Sequence, residues 1–356
     1  MIHNFNAGPS HLPAEVLEEA QKAIINFKGS GLSILEIGHR TPLFEESVAE
    51  ARALVRELMQ LDDDHEVLFL HGGATTQFMQ VPMNLLDADE TMHIAHTGVW
   101  SKKAIREASC FGKVNILCSS ENNNFNYIPE DFCVPESGKY FHITSNNTIY
   151  GTQWHRIPES PIPLVADMSS DILSRRIDFN AFELIYAGAQ KNIGVAGATL
   201  VVVNKKLLGN VTRDIPPIMD YREHIKANSM LNTPPVFAIY MSLLTLRWLK
   251  KFGGIEAIEP LNKEKAALLY DAIDNSSLFR GTAKKEDRST MNVSFVATNS
   301  GAEKAFLDFA KQKDIYGIKG HRLVGGFRAS LYNAVSLESV KHLISVIKEF
   351  ESGYNG

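Results

Sequence analysis

With 356 residues, 44% of them hydrophobic and 22% charged, the chain has the make-up of a globular protein long enough for two domains and a sizeable core. Disordered and fibrous classes are excluded. The formal net charge of −5 argues against nucleic acid or an anionic membrane as the main partner, so an anionic ligand must be met by a few placed cations.

In chain order, the Gly8-Pro9 loop signal precedes a helical period over Pro13 to Phe27, ended by Gly29-Ser30-Gly31. The irregular stretch around Gly38-His39-Arg40 follows, then an amphipathic helix from Pro42 to Met59. Seven short apolar runs come next: Val67–Leu70, Thr91–Ala95, Val114–Leu117, Tyr140–Ile143, Leu164–Ala166, Leu184–Tyr186 and Thr199–Val203. They lack strict alternation, which predicts strands buried on both faces of a mostly parallel sheet in an α/β fold. Past Asn232-Thr233-Pro234-Pro235 the pattern predicts a long helix over Val236 to Phe252, another over Ile255 to Ile273, a strand over Met291–Val296, a helix over Ala302–Gln312 and a last helix from Leu337. The expected division is a large domain over 14–249 and a smaller α/β domain over 250–356 that takes in segment 1–13. Cys110, Cys118 and Cys133 form no CxxC pair and have no histidines clustered about them, which excludes a disulfide framework and a structural zinc site. No segment reads as a signal peptide or membrane span, and the expected setting is cytoplasmic.

Several residues suggest chemistry, each with a plainer alternative. Lys191 stands alone among small residues in Ala187-Gly188-Ala189-Gln190-Lys191-Asn192, between two apolar runs. Desolvation there lowers a lysine's pKa and frees the amine for attack on a carbonyl, whereas a snorkelling surface lysine is the plainer alternative. His71-Gly72-Gly73-Ala74-Thr75 follows one strand and opens a helix, as a phosphate cradle or merely a turn. Asp167, at the end of a strand and followed by Ser169, suits either a pyridinium partner or a turn cap. Trp100 suits ring stacking or core packing, and Thr148 a hydrogen bond to a phenolate or a loop start. His39 and Arg40, then His321, Arg322 and Arg328 around Gly325-Gly326, are anion-binding candidates or solvated loop charges.

Taken together, these motifs resemble those of the fold-type I, class V pyridoxal-phosphate aminotransferases. The likeness runs from Asn6-Ala7-Gly8-Pro9 through Val81-Pro82-Met83-Asn84 and Asp167-Met168-Ser169-Ser170 to Gly320-His321-Arg322, and several of the motifs belong to the branch that makes phosphoserine. The resemblance implies pyridoxal 5'-phosphate as cofactor, Lys191 as the Schiff-base lysine and proton shuttle, Asp167 on the pyridine nitrogen, Trp100 on the ring and Thr148 on the phenolic oxygen. It implies that Ala74, Thr75 and Gln190 hold the cofactor phosphate, with Ser169 among the cofactor-binding residues and Asn232 and Thr233 reaching in from the second subunit of a homodimer. Arg328 would take the substrate α-carboxylate, and His39, Arg40, His321 and Arg322 the distal anion. Two positions depart from the pattern: some members carry arginine at Thr75, and glutamate is common at Asn147.

The implied reaction is transamination of 3-phosphohydroxypyruvate with L-glutamate to O-phospho-L-serine and 2-oxoglutarate, in serine biosynthesis. The same pocket admits the phosphorylated hydroxythreonine precursor of pyridoxine. Rivals are an alanine–glyoxylate aminotransferase, for which four distal-anion residues are superfluous, a cysteine desulfurase, which needs a mobile active-site cysteine, and a coenzyme-free protein that binds a phosphorylated ligand.

Overall fold

The computed structural model describes residues 2–354, so Met1, Asn355 and Gly356, the outermost positions of the expected domain limits, lie outside the described residues. All seven apolar runs fall in one sheet, in the spatial order His65–Leu70, Thr199–Asn204, Leu184–Gly188, Leu164–Asp167, Phe141–Thr144, Thr91–His96, Lys113–Ser119. Thr199–Asn204 runs antiparallel to both its neighbours, and every other pair is parallel.

Successive side chains serve different cores, as the pleat demands. Phe69, Ala166, Ile185 and Val202 pack on one face against the helices Pro42–Met59 and Val236–Phe252, while Leu68, Val165, Leu184 and Val201 pack on the other against Gly73–Leu85 and Val99–Ala108. Helices on both sides explain why these strands are apolar throughout. The run Val114–Leu117 breaks that expectation. Its strand, Lys113–Ser119, closes the sheet at an edge, with Asn115 and Ile116 exposed and none of its residues buried. Edge position alone does not expose a strand, since His65–Leu70 closes the opposite edge and is buried except at Glu66; Lys113–Ser119 reaches the apolar cores only through the partly buried Val114, Leu117 and Cys118.

A separate apolar cluster gathers Phe5, Leu269, Phe279, Phe295, Phe306, Phe327 and Phe350. Its three-stranded antiparallel sheet joins Phe279–Gly281, Asn292–Ala297 and Phe327–Ser330. The first and last of these escape a periodicity reading because they have only 3 and 4 residues. The helix Gly254–Asp274 spans both regions: Ile255 and Ile258 belong to the large core, Leu269 and Ile273 to the second cluster. The chain's first strand, His3–Asn4, pairs in parallel with Ile315–Tyr316.

Candidate active site

All strands of the large sheet except Thr199–Asn204 point the same way, and their carboxyl ends open on one rim, where ligands of open α/β sheets are bound. Leu70 leads to Gly72-Gly73, His96 to Trp100, Thr144 to Thr148, and Gly188 to Gln190-Lys191, while Asp167 ends its own strand. Between these loops lies a cavity of about 380 Å³, lined by Ala74, Thr75, Trp100, Thr148, Asp167, Ser169, Gln190, Lys191, His321 and Arg328 among others. That volume suits a small organic molecule. A larger cavity of about 680 Å³, around Phe132, Trp154 and Asp287, holds none of these residues.

Lys191 reaches into the cavity, with Nζ 3.3 Å from the Thr148 hydroxyl and 5.8 Å from the centre of the Trp100 ring. Burial of the amine pushes its pKa down to about 8, against the opposing pull of the Asp167 charge. Asp167 is itself buried, with one carboxylate oxygen accepting the Ser169 N–H at 2.9 Å. Loss of hydration raises its pKa, with Lys191 and the Ser169 bonds acting the other way. The Ser169 hydroxyl in turn accepts the Gly188 N–H at 3.2 Å, which ties the aspartate turn to the lysine strand. Below Asp167, on the same face of the sheet, His142 Nε2 lies 2.9 Å from the Tyr186 hydroxyl, and burial holds His142 down to about 3, so that its ring stays neutral.

Gly72 adopts φ +90°, and a Cβ there would lie 1.8 Å from the Thr76 hydroxyl, so only glycine permits this turn. The turn aims the first N–H groups of the Gly73–Leu85 helix, which have no intrahelical acceptor, at the cavity. Arg328 enters from the strand Phe327–Ser330; its Nη1 donates to the Thr148 carbonyl at 3.3 Å and its buried Nε has no partner. Trp100 Nε1 and Thr144 Oγ1, also at the cavity, are buried without partners too.

Ten of the expected site residues therefore converge, and five do not. Arg322 is exposed beside His321. Arg40 lines a different groove with Glu45, Arg52 and Lys226, and His39 precedes it. Asn232 and Thr233 stand at the start of the Val236–Phe252 helix, where the Thr233 carbonyl faces His71 Nε2 at 2.8 Å. Lys103 was not among the expected residues. Its Nζ lies 4.7 Å from the centre of the Trp100 ring, and its charge, with those of Arg328 and Arg322, helps burial to hold His321 below the ordinary histidine value. The signal was its place one helical turn after Trp100.

The class-V aminotransferase family matches residues 2–343, and the chain belongs to the class-V aminotransferases. Within that class it groups with the phosphoserine aminotransferases. The Porphyromonas gingivalis phosphoserine aminotransferase is 52% identical over 357 residues, covering 98% of this chain and 99% of that protein. The solved phosphoserine aminotransferase of Bacillus circulans subsp. alkalophilus matches with a TM-score of 0.96 at 42% identity over 99% of each chain. That of Trichomonas vaginalis, solved with pyridoxal phosphate bound, matches with a TM-score of 0.93 at 37% identity, covering 98% of this chain and 100% of that one.

Proposed function

We propose that this chain transfers the amino group of L-glutamate to 3-phosphohydroxypyruvate, giving O-phospho-L-serine and 2-oxoglutarate, with pyridoxal phosphate as cofactor. The observation that carries this reading is a desolvated Lys191 beside a buried carboxylate, Asp167, at the rim where a helix N-terminus offers free N–H groups. The glycine turn, the unpartnered Arg328 Nε and the aromatic wall of Trp100 fit a flat phosphorylated ring and an anionic substrate.

Pyridoxal phosphate supplies the carbonyl that exchanges for an amine and the electron sink for the bonds at the substrate's Cα. The protein does the rest. Lys191 would hold the cofactor through its carbonyl carbon and would carry the proton at the substrate's Cα. Asp167 keeps the ring nitrogen protonated, and Trp100 covers one ring face. The N–H groups of Ala74 and Thr75, with Gln190, hold the cofactor phosphate, with Thr148 on the phenolic oxygen and Ser169 supporting Asp167. Arg328 takes the α-carboxylate, and His321 and Arg322 take the distal anion.

His39, Arg40, Asn232 and Thr233 act in the site of a second copy of the chain. That copy is a homodimer partner, and the reading is supported by their absence from the lining of this chain's own cavity. The chain divides functionally into a large part, 14–249, and a small part, 250–356 with 1–13. The decisive experiment is the visible absorption spectrum of the purified protein. The expected result is a yellow band that glutamate bleaches and 3-phosphohydroxypyruvate restores. Restoration by an uncharged keto acid alone would sink the substrate assignment, and absence of any band after added cofactor would sink the role of Lys191.

A further inference from the structure

The helix that forms one wall of the cavity, Gly73–Leu85, carries no charged side chain, so it offers an anion N–H and hydroxyl donors and its N-terminal dipole but no full positive charge. Cationic charge arrives from the neighbouring helix Val99–Ala108. Two adjacent lysines there behave differently: Lys102 pairs with Glu121 at 3.1 Å, whereas Lys103 makes no ion pair among the described residues and rests its ammonium on Trp100. Trp100 lines the cavity, as do His321 and Arg328. Arg322 and Arg328 likewise make no ion pair among the described residues.

Like charges gathered without carboxylates repel one another, and an arriving anion relieves that repulsion. The relief scales with the charge that arrives. A phosphate monoester carries about −1.5 to −2 at neutral pH and a γ-carboxylate only −1, so one further cation strengthens binding of the first more than of the second.

We propose that Lys103 is a specificity residue for the phosphorylated substrate: its ammonium moves from the face of Trp100 onto the distal phosphate and favours that group over the γ-carboxylate of glutamate. This inference rests on the proposed transamination. The long flexible stem of lysine permits the movement, and the contact that it gives up, an exposed ammonium on a half-buried ring, is a weak one.

The test uses the holoenzyme, Lys103→Met and Lys103→Arg, with two unreactive ligands followed by calorimetry, 3-phosphoglycerate for the phosphorylated substrate and glutarate for glutamate. In Lys103→Met the Kd for 3-phosphoglycerate should rise about tenfold and that for glutarate by only about three- to fivefold. The KM for 3-phosphohydroxypyruvate should rise in parallel, the KM for glutamate should rise by less, and Lys103→Arg should restore most of the loss. Equal weakening of both ligands would reduce Lys103 to a packing partner of Trp100 and overturn the proposal, as would an unchanged Kd for 3-phosphoglycerate. If the unaltered protein bound neither ligand and 3-phosphohydroxypyruvate did not restore its colour, the transamination reading itself would fall, and this proposal with it.

Discussion

Lys191 titrates where its burial is most informative. A lysine in the unfolded chain holds its proton to about pH 10.5, but in the folded site the value falls to about 8. Between those values the unfolded chain binds the extra proton, so this group's contribution to stability rises with pH across that window, and its penalty is felt in full below pH 8. For chemistry, the rate at which the cofactor-free protein captures pyridoxal phosphate should climb with pH to a midpoint near 8, followed by absorbance. Because the Asp167 charge opposes the shift, Asp167→Asn should move that midpoint lower. Lys191→Ala should cut turnover by more than about a thousandfold, since it removes the group that carries the Cα proton. Lys265 shows a different use of burial. It is fully enclosed, and its Nζ donates to the carbonyls of Leu331, Tyr332 and Val335 at 2.9, 3.0 and 3.0 Å. Three acceptors need the three N–H bonds of an ammonium, although burial pulls the pKa down to about 7. Lys265→Met should cost about 3 kcal/mol in a denaturant melt, because those buried carbonyls lose their donor. In the sequence Lys191 was conspicuous as a lone cation among small residues. Lys265, in the charged run Lys263-Glu264-Lys265, has the pattern of a solvated face, and Lys103 that of any surface lysine. Packing alone sets Lys265 apart, and the sequence marks Lys103 further only by its place one helical turn after Trp100.

Elements were legible where an end signal and a long period coincide. Pro42 and the left-handed Gln60 bound one helix, Pro235 and Gly253 another, and both ranges read from the sequence match those observed, Pro42–Met59 and Val236–Phe252. Short strands such as Phe327–Ser330 carry no such redundancy, so the sequence marks Arg328 only by the nearby Gly325-Gly326 turn and not by the strand on which it sits. The exposure of Lys113–Ser119 depends on what packs over its faces, which local sequence does not encode. At Gly253, φ is 109° and a Cβ would meet that of Ala257 at 2.8 Å. Gly253→Ala should therefore destabilise the fold by about 1–2 kcal/mol in thermal melts. Gly72→Ala acts elsewhere. By forcing the Thr76 side chain aside it should disorganise the anion cradle and weaken cofactor affinity more than stability, which equilibrium dialysis of the cofactor can read.

At the scale of the molecule, the site residues split into a set that shares one cavity and a set that does not. The first follows from topology, because loops at the same end of parallel strands must meet. The second, His39, Arg40, Asn232, Thr233 and Arg322, holds the four residues proposed above to act in a second copy of the chain, and of these the resemblance alone marks Asn232 and Thr233. Complementation tests that division. Mixing Lys191→Ala with an Asn232→Ala/Thr233→Ala double variant, after subunit exchange, should recover about a quarter of full activity, one intact site in each mixed pair. Sites built from one chain would leave both parents as they were.

The N-terminal segment joins distant parts of this architecture. His3 and Asn4 add a strand beside Ile315 and Tyr316, Phe5 enters the second cluster, and the Ala7 carbonyl accepts the Tyr332 hydroxyl at 2.8 Å. Ser10 then donates its N–H to the Gln190 carbonyl and its hydroxyl to that of Lys191. A protease cut between Phe5 and Ser10 would sever that tie and loosen the loop bearing Lys191 while leaving the three apolar clusters in place. In a partly clipped preparation, fading colour would therefore report the nick before any change in melting temperature, which makes the yellow band a gauge of an intact leading segment.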